Sequence, residues 1–247
     1  MKNKVLKILS SILILGVLIL LFWRIKVPGA LDIINKKIKS QISEILPGIN
    51  EVPQPKTLPS QAQISGVPFE CQSPYQKWDQ LHEEACEEAA VILVDHYLTK
   101  KPLDKQIMEN EIQAQVAWQV RKWGKQHDLT IRESADFLAK EYLGYQKVRY
   151  QYNITIDDIK REIAAGNPVI TPMAGRILAN PFYTPPGPLY HYVVVVGYTP
   201  SEMIVHDIGV WQGENWHYRT DHFWESLHDW NGGDVSHGPK AMMVIER

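Results

Sequence analysis

Residues 82–98 read HEEACEEAAVILVDHYL. Counted from Cys86 at helical spacing, Ala89, Ala90, Leu93, Val94 and Tyr97 form one apolar stripe. Val91, Ile92 and Leu98 lie off it, so the segment is apolar almost all round, as a helix central to a fold would be. The spacing predicts a helix over 85–98 with Cys86 in its first turn. There the free N–H groups and the helix dipole favour an anion, which lowers a cysteine pKa. A thiolate is a nucleophile and a thiol much less so. The plain alternative is a small buried residue, a frequent fate of free cysteine. Glu87 and Glu88 follow the cysteine directly. At about 100° per residue neither shares its stripe, so they are expected to oppose a thiolate modestly.

Working outward, helical patterns come first and strands later. Helical composition runs over 104–127. TIRE (130–133) is a capping box opening a helix toward Leu143, with Gly144 past it, and TIDDIKREIAAG (155–166) repeats the same grammar. Strands are expected at 168–173, 191–198, 202–208 and 240–246, and a short helix within 220–230. Helices followed by antiparallel strands indicate an α+β fold.

A catalytic cysteine needs a base and an oxyanion donor. His191 opens the strongly apolar run HYVVVVGY, and Asp207 closes MIVHD. A three-residue turn at Tyr198–Pro200 sets His191 opposite Asp207 on one sheet face, as base and orienter. A two-residue turn at Pro200–Ser201 sets them on opposite faces. Gln72, in VPFECQSPYQKW, is the candidate donor, its amide acting beside the Cys86 backbone N–H. The aromatic- and proline-rich stretch 174–190 leads straight into His191 and reads as a wall of the substrate cleft. The second cysteine, Cys71, leaves a disulfide with Cys86 as an alternative that would remove the nucleophile. The histidines at 206, 217, 222, 228 and 237 match no zinc-ligand spacing.

Taken together, VPFECQSPYQKWDQLHEEACEEAAVILVDHYL, GNPVITPM and HYVVVVGY…IVHDIG resemble the papain-like bacteriocin-processing cysteine peptidases, peptidase family thirty-nine. The resemblance spans about residues 64–247 and is nearest to stand-alone, secreted or anchored relatives. It implies a papain-like fold in which a central helix carrying the cysteine packs on an antiparallel sheet. It also implies Cys86 as nucleophile, His191 as base, Asp207 as orienter and Gln72 as oxyanion donor, acting on a peptide or protein substrate without a cofactor. Many members follow the cysteine with Gly-Pro, where this chain has Glu87 and Glu88. Two alternatives remain open: a catalytically silent peptide- or partner-binding domain of the same fold, and an amidase or acyl transferase using the same residues.

The N-terminal quarter has a different character. Residues 5–23, VLKILSSILILGVLILLFW, are apolar but for Lys7 and two serines. At about 1.5 Å per residue they span roughly 28 Å, close to a bilayer's hydrocarbon thickness. RIKVPGALD after them is a poor cleavage site. Residues 1–26 therefore read as an uncleaved anchor with the domain on the extracytoplasmic side, and 27–63 as a proline-rich stalk. Its stretch 30–46 suits either an amphipathic membrane-surface helix or a solvated one. Residues 64–247 read as the peptidase domain. Net charge is +5 over residues 1–51 and −7 beyond. A basic end suits an anionic membrane surface, and an acidic body argues against nucleic acid as a partner. The sequence leaves the oligomeric state open.

Overall fold

The computed structural model describes residues 57–247. The expected span at 5–23 and the pattern at 30–46 lie outside the described residues. Among those described, no helix is long and apolar enough to cross a membrane.

Seven strands form one antiparallel sheet: β1 (Ala62–Gln63), β2 (Lys147–Tyr152), β3 (Val169–Met173), β4 (His191–Tyr198), β5 (Glu202–His206), β6 (Trp216–Arg219) and β7 (Ala241–Glu246). The order is β2-β7-β3-β4-β5-β6, with β1 also paired to β4. The helices are α1 (Gln80–Glu83), α2 (Cys86–Thr99), α3 (Lys105–Trp123), α4 (Ile131–Glu133), α5 (Ile156–Ala164), α6 (Gly175–Leu178) and α7 (Thr220–Ser226). This is an α+β architecture in which the helix carrying Cys86 packs on an antiparallel sheet. β4 is buried along its whole length, with α2 and α5 packed against it. That is why HYVVVVGY is a continuous apolar run and not an alternating one.

Local chemistry sets the helix ends. Asp104 accepts from Ile107 N at 2.8 Å, and Gly124 closes α3 at φ 81°, a left-handed conformation that glycine adopts without strain. Thr130 with Glu133, and Thr155 with Asp158, close reciprocal capping boxes at α4 and α5. The expected α-helix toward Leu143 instead continues from α4 as a π-helix, Ser134–Tyr142. Leu143 N bonds to Leu138 O, five residues back. The buried residues of this π-helix are Ser134, Ala135, Leu138 and Ala139. Ser134 Oγ also meets the Tyr192 hydroxyl at 3.1 Å.

Two expectations are corrected here. The sheet begins before the expected domain start at 64: Ala62 and Gln63 pair with Tyr198 and Gly197. These residues belong to the folded body because they cover an edge of β4 that would otherwise hold unpaired backbone groups. The β4–β5 turn takes the two-residue form at Pro200–Ser201, with Thr199 N bonded to Glu202 O at 2.8 Å and Tyr198 paired with Met203. The direct His191–Asp207 pairing of the three-residue turn does not form. A bulge then shifts the ladder so that Val195 meets Val205 and Val194 meets His206. The carbonyl of the bulged residue, Val196, is taken by Ile64 N at 2.8 Å. Continuing that register, Asp207 comes level with Val193, and Gly209 comes level with His191.

Candidate active site

Cys86 is the first residue of α2, preceded by Ala85, which offers no side-chain cap. The backbone N–H groups of the first turn therefore keep no intrahelical partner. Cys86 and Cys71 are both free thiols. Cys86, Gln72 and His191 line one cleft of about 670 Å³. Phe182, Tyr183, Leu189 and Tyr190, from the 174–190 stretch, form part of its wall.

His191 and Asp207 meet although they are not cross-strand partners. His191 Nε2 lies 2.9 Å from Asp207 Oδ1, and both residues are buried. Residues two apart on a strand share a face, so the carboxylate level with Val193 reaches His191 diagonally. Gly209 completes this arrangement: a Cβ there would stand 2.9 Å from His191 Cε1. Asp207 accepts further hydrogen bonds from Tyr218 Oη at 2.6 Å, Asn180 Nδ2 at 2.9 Å, Tyr183 Oη at 2.9 Å and Gly209 N at 3.2 Å. Burial pushes the Asp207 carboxyl up, but the hydrogen bond and charge of His191, with those tyrosines, outweigh it and hold the group below its ordinary value. Asn180 and Tyr183 lie in the stretch 174–190, which reads as cleft wall without singling them out, and nothing local to Tyr218 points to the site.

The Gln72 amide is anchored on the helix entry. Its Nε2 donates to His82 O at 2.8 Å, its backbone N donates to Ile208 O at 2.9 Å, and its Oε1 has no partner among the described residues.

The two glutamates depart from expectation. Both are buried, at 1% exposure each. Glu87 does not point away from the thiol: Cys86 Sγ donates to its Oε2 at 3.1 Å, while its Oε1 accepts from Leu129 N at 2.8 Å. Helical angle alone misses this, because an adjacent side chain in the first turn can fold back past the open helix end. No hydrogen bond joins Cys86 to His191 among the described residues. Burial, then the Glu87 carboxylate, push the Cys86 thiol up, and burial pushes Glu87 up in turn. Glu88 Oε1 accepts from Gln119 Nε2 on α3, and burial raises its carboxyl to about 7.

The Leu129 peptide ties these parts together. Its N–H holds Glu87, beside the cysteine, and its carbonyl accepts from Tyr192 Oη at 3.0 Å and Tyr190 Oη at 3.2 Å. Those tyrosines flank His191 in the chain. The single Tyr190 hydroxyl proton is shared with the closer Asp229 Oδ1 at 2.7 Å, a buried carboxylate that further accepts from Ile131 N at 2.9 Å.

Residues 64–232 match the sequence model of the peptidase C39-like family. Among solved structures, one described as a C39-like peptidase from Bacillus anthracis aligns at 17% identity and TM-score 0.51, covering 76% of this chain and 98% of that one. Xylellain, a cysteine protease from Xylella fastidiosa, aligns at 14% identity and TM-score 0.44, covering 81% and 94%. At such identity the structural likeness speaks to the fold alone. No curated protein matches.

Proposed function

The chain belongs to the peptidase C39-like family, and from that premise we propose that it is a cysteine peptidase acting through Cys86, His191 and Asp207. The observation that carries the reading is the 2.9 Å His191–Asp207 contact in the cleft that also holds Cys86. Asp207 occupies Nε2, which leaves Nδ1 as the nitrogen that exchanges a proton. Cys86 sulfur attacks the peptide carbonyl carbon as its proton passes to His191 Nδ1. The oxyanion is met by the Cys86 backbone N–H and by the Gln72 Nε2 proton that otherwise reaches only the Glu83 carbonyl at 3.5 Å. The C–N bond then breaks, and His191 protonates the leaving amine. Water, deprotonated by His191, attacks the thioester, releasing the carboxylic acid and restoring the thiol. The apolar run at 5–23 supports carriage on a membrane anchor, and the short tail before it favours the extracytoplasmic side for the domain.

One observation favours a second reading, a silent binding domain: the thiol's hydrogen bond goes to Glu87 and not to His191. A chloroacetamide probe and a quenched peptide library separate the two. For the peptidase, Cys86 is labelled and peptides are cleaved, Cys86→Ala abolishes both, and His191→Ala slows both by roughly 100-fold or more. Labelling indifferent to His191, with no cleavage, would leave the binding domain.

A further inference from the structure

The cleft beside Cys86 is lined by three carboxylates, Glu83, Glu84 and Asp128, and by no lysine or arginine. The ion pairs of the domain, such as Lys77–Asp79 and Lys140–Asp136, use other carboxylates. Among the described residues none includes these three carboxylates. Glu84 and Asp128 are half-buried. Burial and the neighbouring carboxylates raise the Glu84 carboxyl, and burial raises that of Asp128. The negative charge of Asp128 also opposes a thiolate at Cys86, which puts it within electrostatic reach of the sulfur. The backbone around Glu84 is held in place, because Gln126 Nε2 donates to its carbonyl at 3.0 Å and to that of Leu81 at 3.3 Å.

Like charges gathered at a half-buried wall without a counter-ion are unfavourable, and a docked cation offsets that cost. A second, independent feature points the same way. Gln72 lines the same cleft, is only 3% exposed, and keeps Oε1 without a hydrogen-bond partner. That is one more acceptor awaiting a donor. The rim suits the aliphatic stem of a cationic side chain. Trp78, Phe182 and Leu189 are 44%, 48% and 41% exposed along it. Trp211, also on the cleft, already carries the Lys105 ammonium 3.8 Å from its ring centroid, so an indole here accepts a cation on its face.

We propose that the cleft selects peptides carrying lysine or arginine within about two residues of the bond at Cys86, with Glu84 and Asp128 holding the cationic head and the aromatic rim its stem. The proposal rests on reading the cleft as a peptide site and names the class of peptide.

The test uses the full chain in uncharged detergent with Cys86→Ala, so that binding is read without turnover. The probes are fluorescein-labelled hexapeptides of alanine and leucine with lysine, norleucine or glutamate at one varied position. At one position at least, the lysine peptide should bind tenfold or more tighter than its norleucine counterpart, and the glutamate peptide weakest. Raising the salt should shrink that ratio, as screening requires. Adding Glu84→Gln and Asp128→Asn should bring the ratio close to one. Should the combined variant fail to fold, Glu84→Gln alone and the salt series still decide. Ratios near one at every position, or glutamate peptides binding as well as lysine ones, would overturn the proposal. Cleavage of the same peptides by the unaltered chain is scored separately. Cleavage without lysine preference sinks this inference alone, and lysine preference without cleavage sinks only the peptidase reading.

Discussion

At the scale of single residues, the decisive contact is Cys86 with Glu87. Both groups are buried and hydrogen-bonded, so their protons leave as a coupled pair. Negative charge on either opposes charge on the other, in addition to the burial that raises both. Glu87→Gln removes that opposition and retains a side-chain oxygen for Leu129 N. Alkylation of Cys86 at neutral pH should then speed up by roughly tenfold, the scale of one close charge pair at an effective dielectric near 20. Its pH profile should collapse to a single step. Rates of iodoacetamide alkylation across pH 5–9 provide the check; a slower rate with the fold intact would mean that Glu87 helps to form the thiolate, and an unchanged one that Glu87 is already neutral there. Gly209 shows the same residue-level economy, since any side chain there meets the His191 ring.

At the scale of elements, α2 is fastened at both sides of its N-terminus. Glu87 ties it to the Leu129 segment, and Glu88 ties it to α3 through Gln119. The Glu88 carboxyl is raised from 4.5 to about 7, chiefly by burial. The folded state therefore holds this proton at pH values where the unfolded chain has lost it. The stability that Glu88 contributes is complete below about 4.5 and is lost as pH rises through about 7. Glu88→Gln cannot ionise and still accepts from Gln119. The variant should gain on the parent across that window by on the order of a few kcal/mol. Urea unfolding of both proteins at pH 5 and pH 8 measures the difference; parallel behaviour at the two pH values would show that Glu88 stays charged in the fold.

At the scale of the whole molecule, two parts of opposite charge are expected to serve different ends. Residues 1–51 carry +5, and the remainder carries −7. With the apolar run at 5–23 acting as an anchor, the protein should sediment with membranes and resist extraction by high salt, because apolar insertion is not screened. Fractionation of intact cells followed by N-terminal sequencing decides this. A soluble form beginning near Val27 or later would mean a cleaved signal. An acidic cleft held at a membrane surface would meet cationic peptides that the anionic surface also attracts.

How much of this was legible in the chain differs by kind of feature. Helix α2, the capping boxes at Thr130 and Thr155, and the buried strand β4 follow from local periodicity and cap chemistry, which act over a few residues and leave a mark in sequence. The positions of Cys86 at a helix start and His191 at a strand start are of that kind. The meeting of His191 with Asp207 is not, because the two-residue turn that formed would alone set them on opposite faces. A bulge at Val196, which no local pattern marks, shifts the ladder by one and returns them to one face. The two residues still share a face through the two-residue alternation of a strand, but diagonally. By helical angle Glu87 and Glu88 lie off the Cys86 stripe, and their packing against Leu129 and Gln119 is what buries them beside the thiol and α3. Burial and partner geometry come from residues 31 to 42 positions away. Contacts at that separation are set by how whole elements pack, and no local pattern in the sequence encodes them.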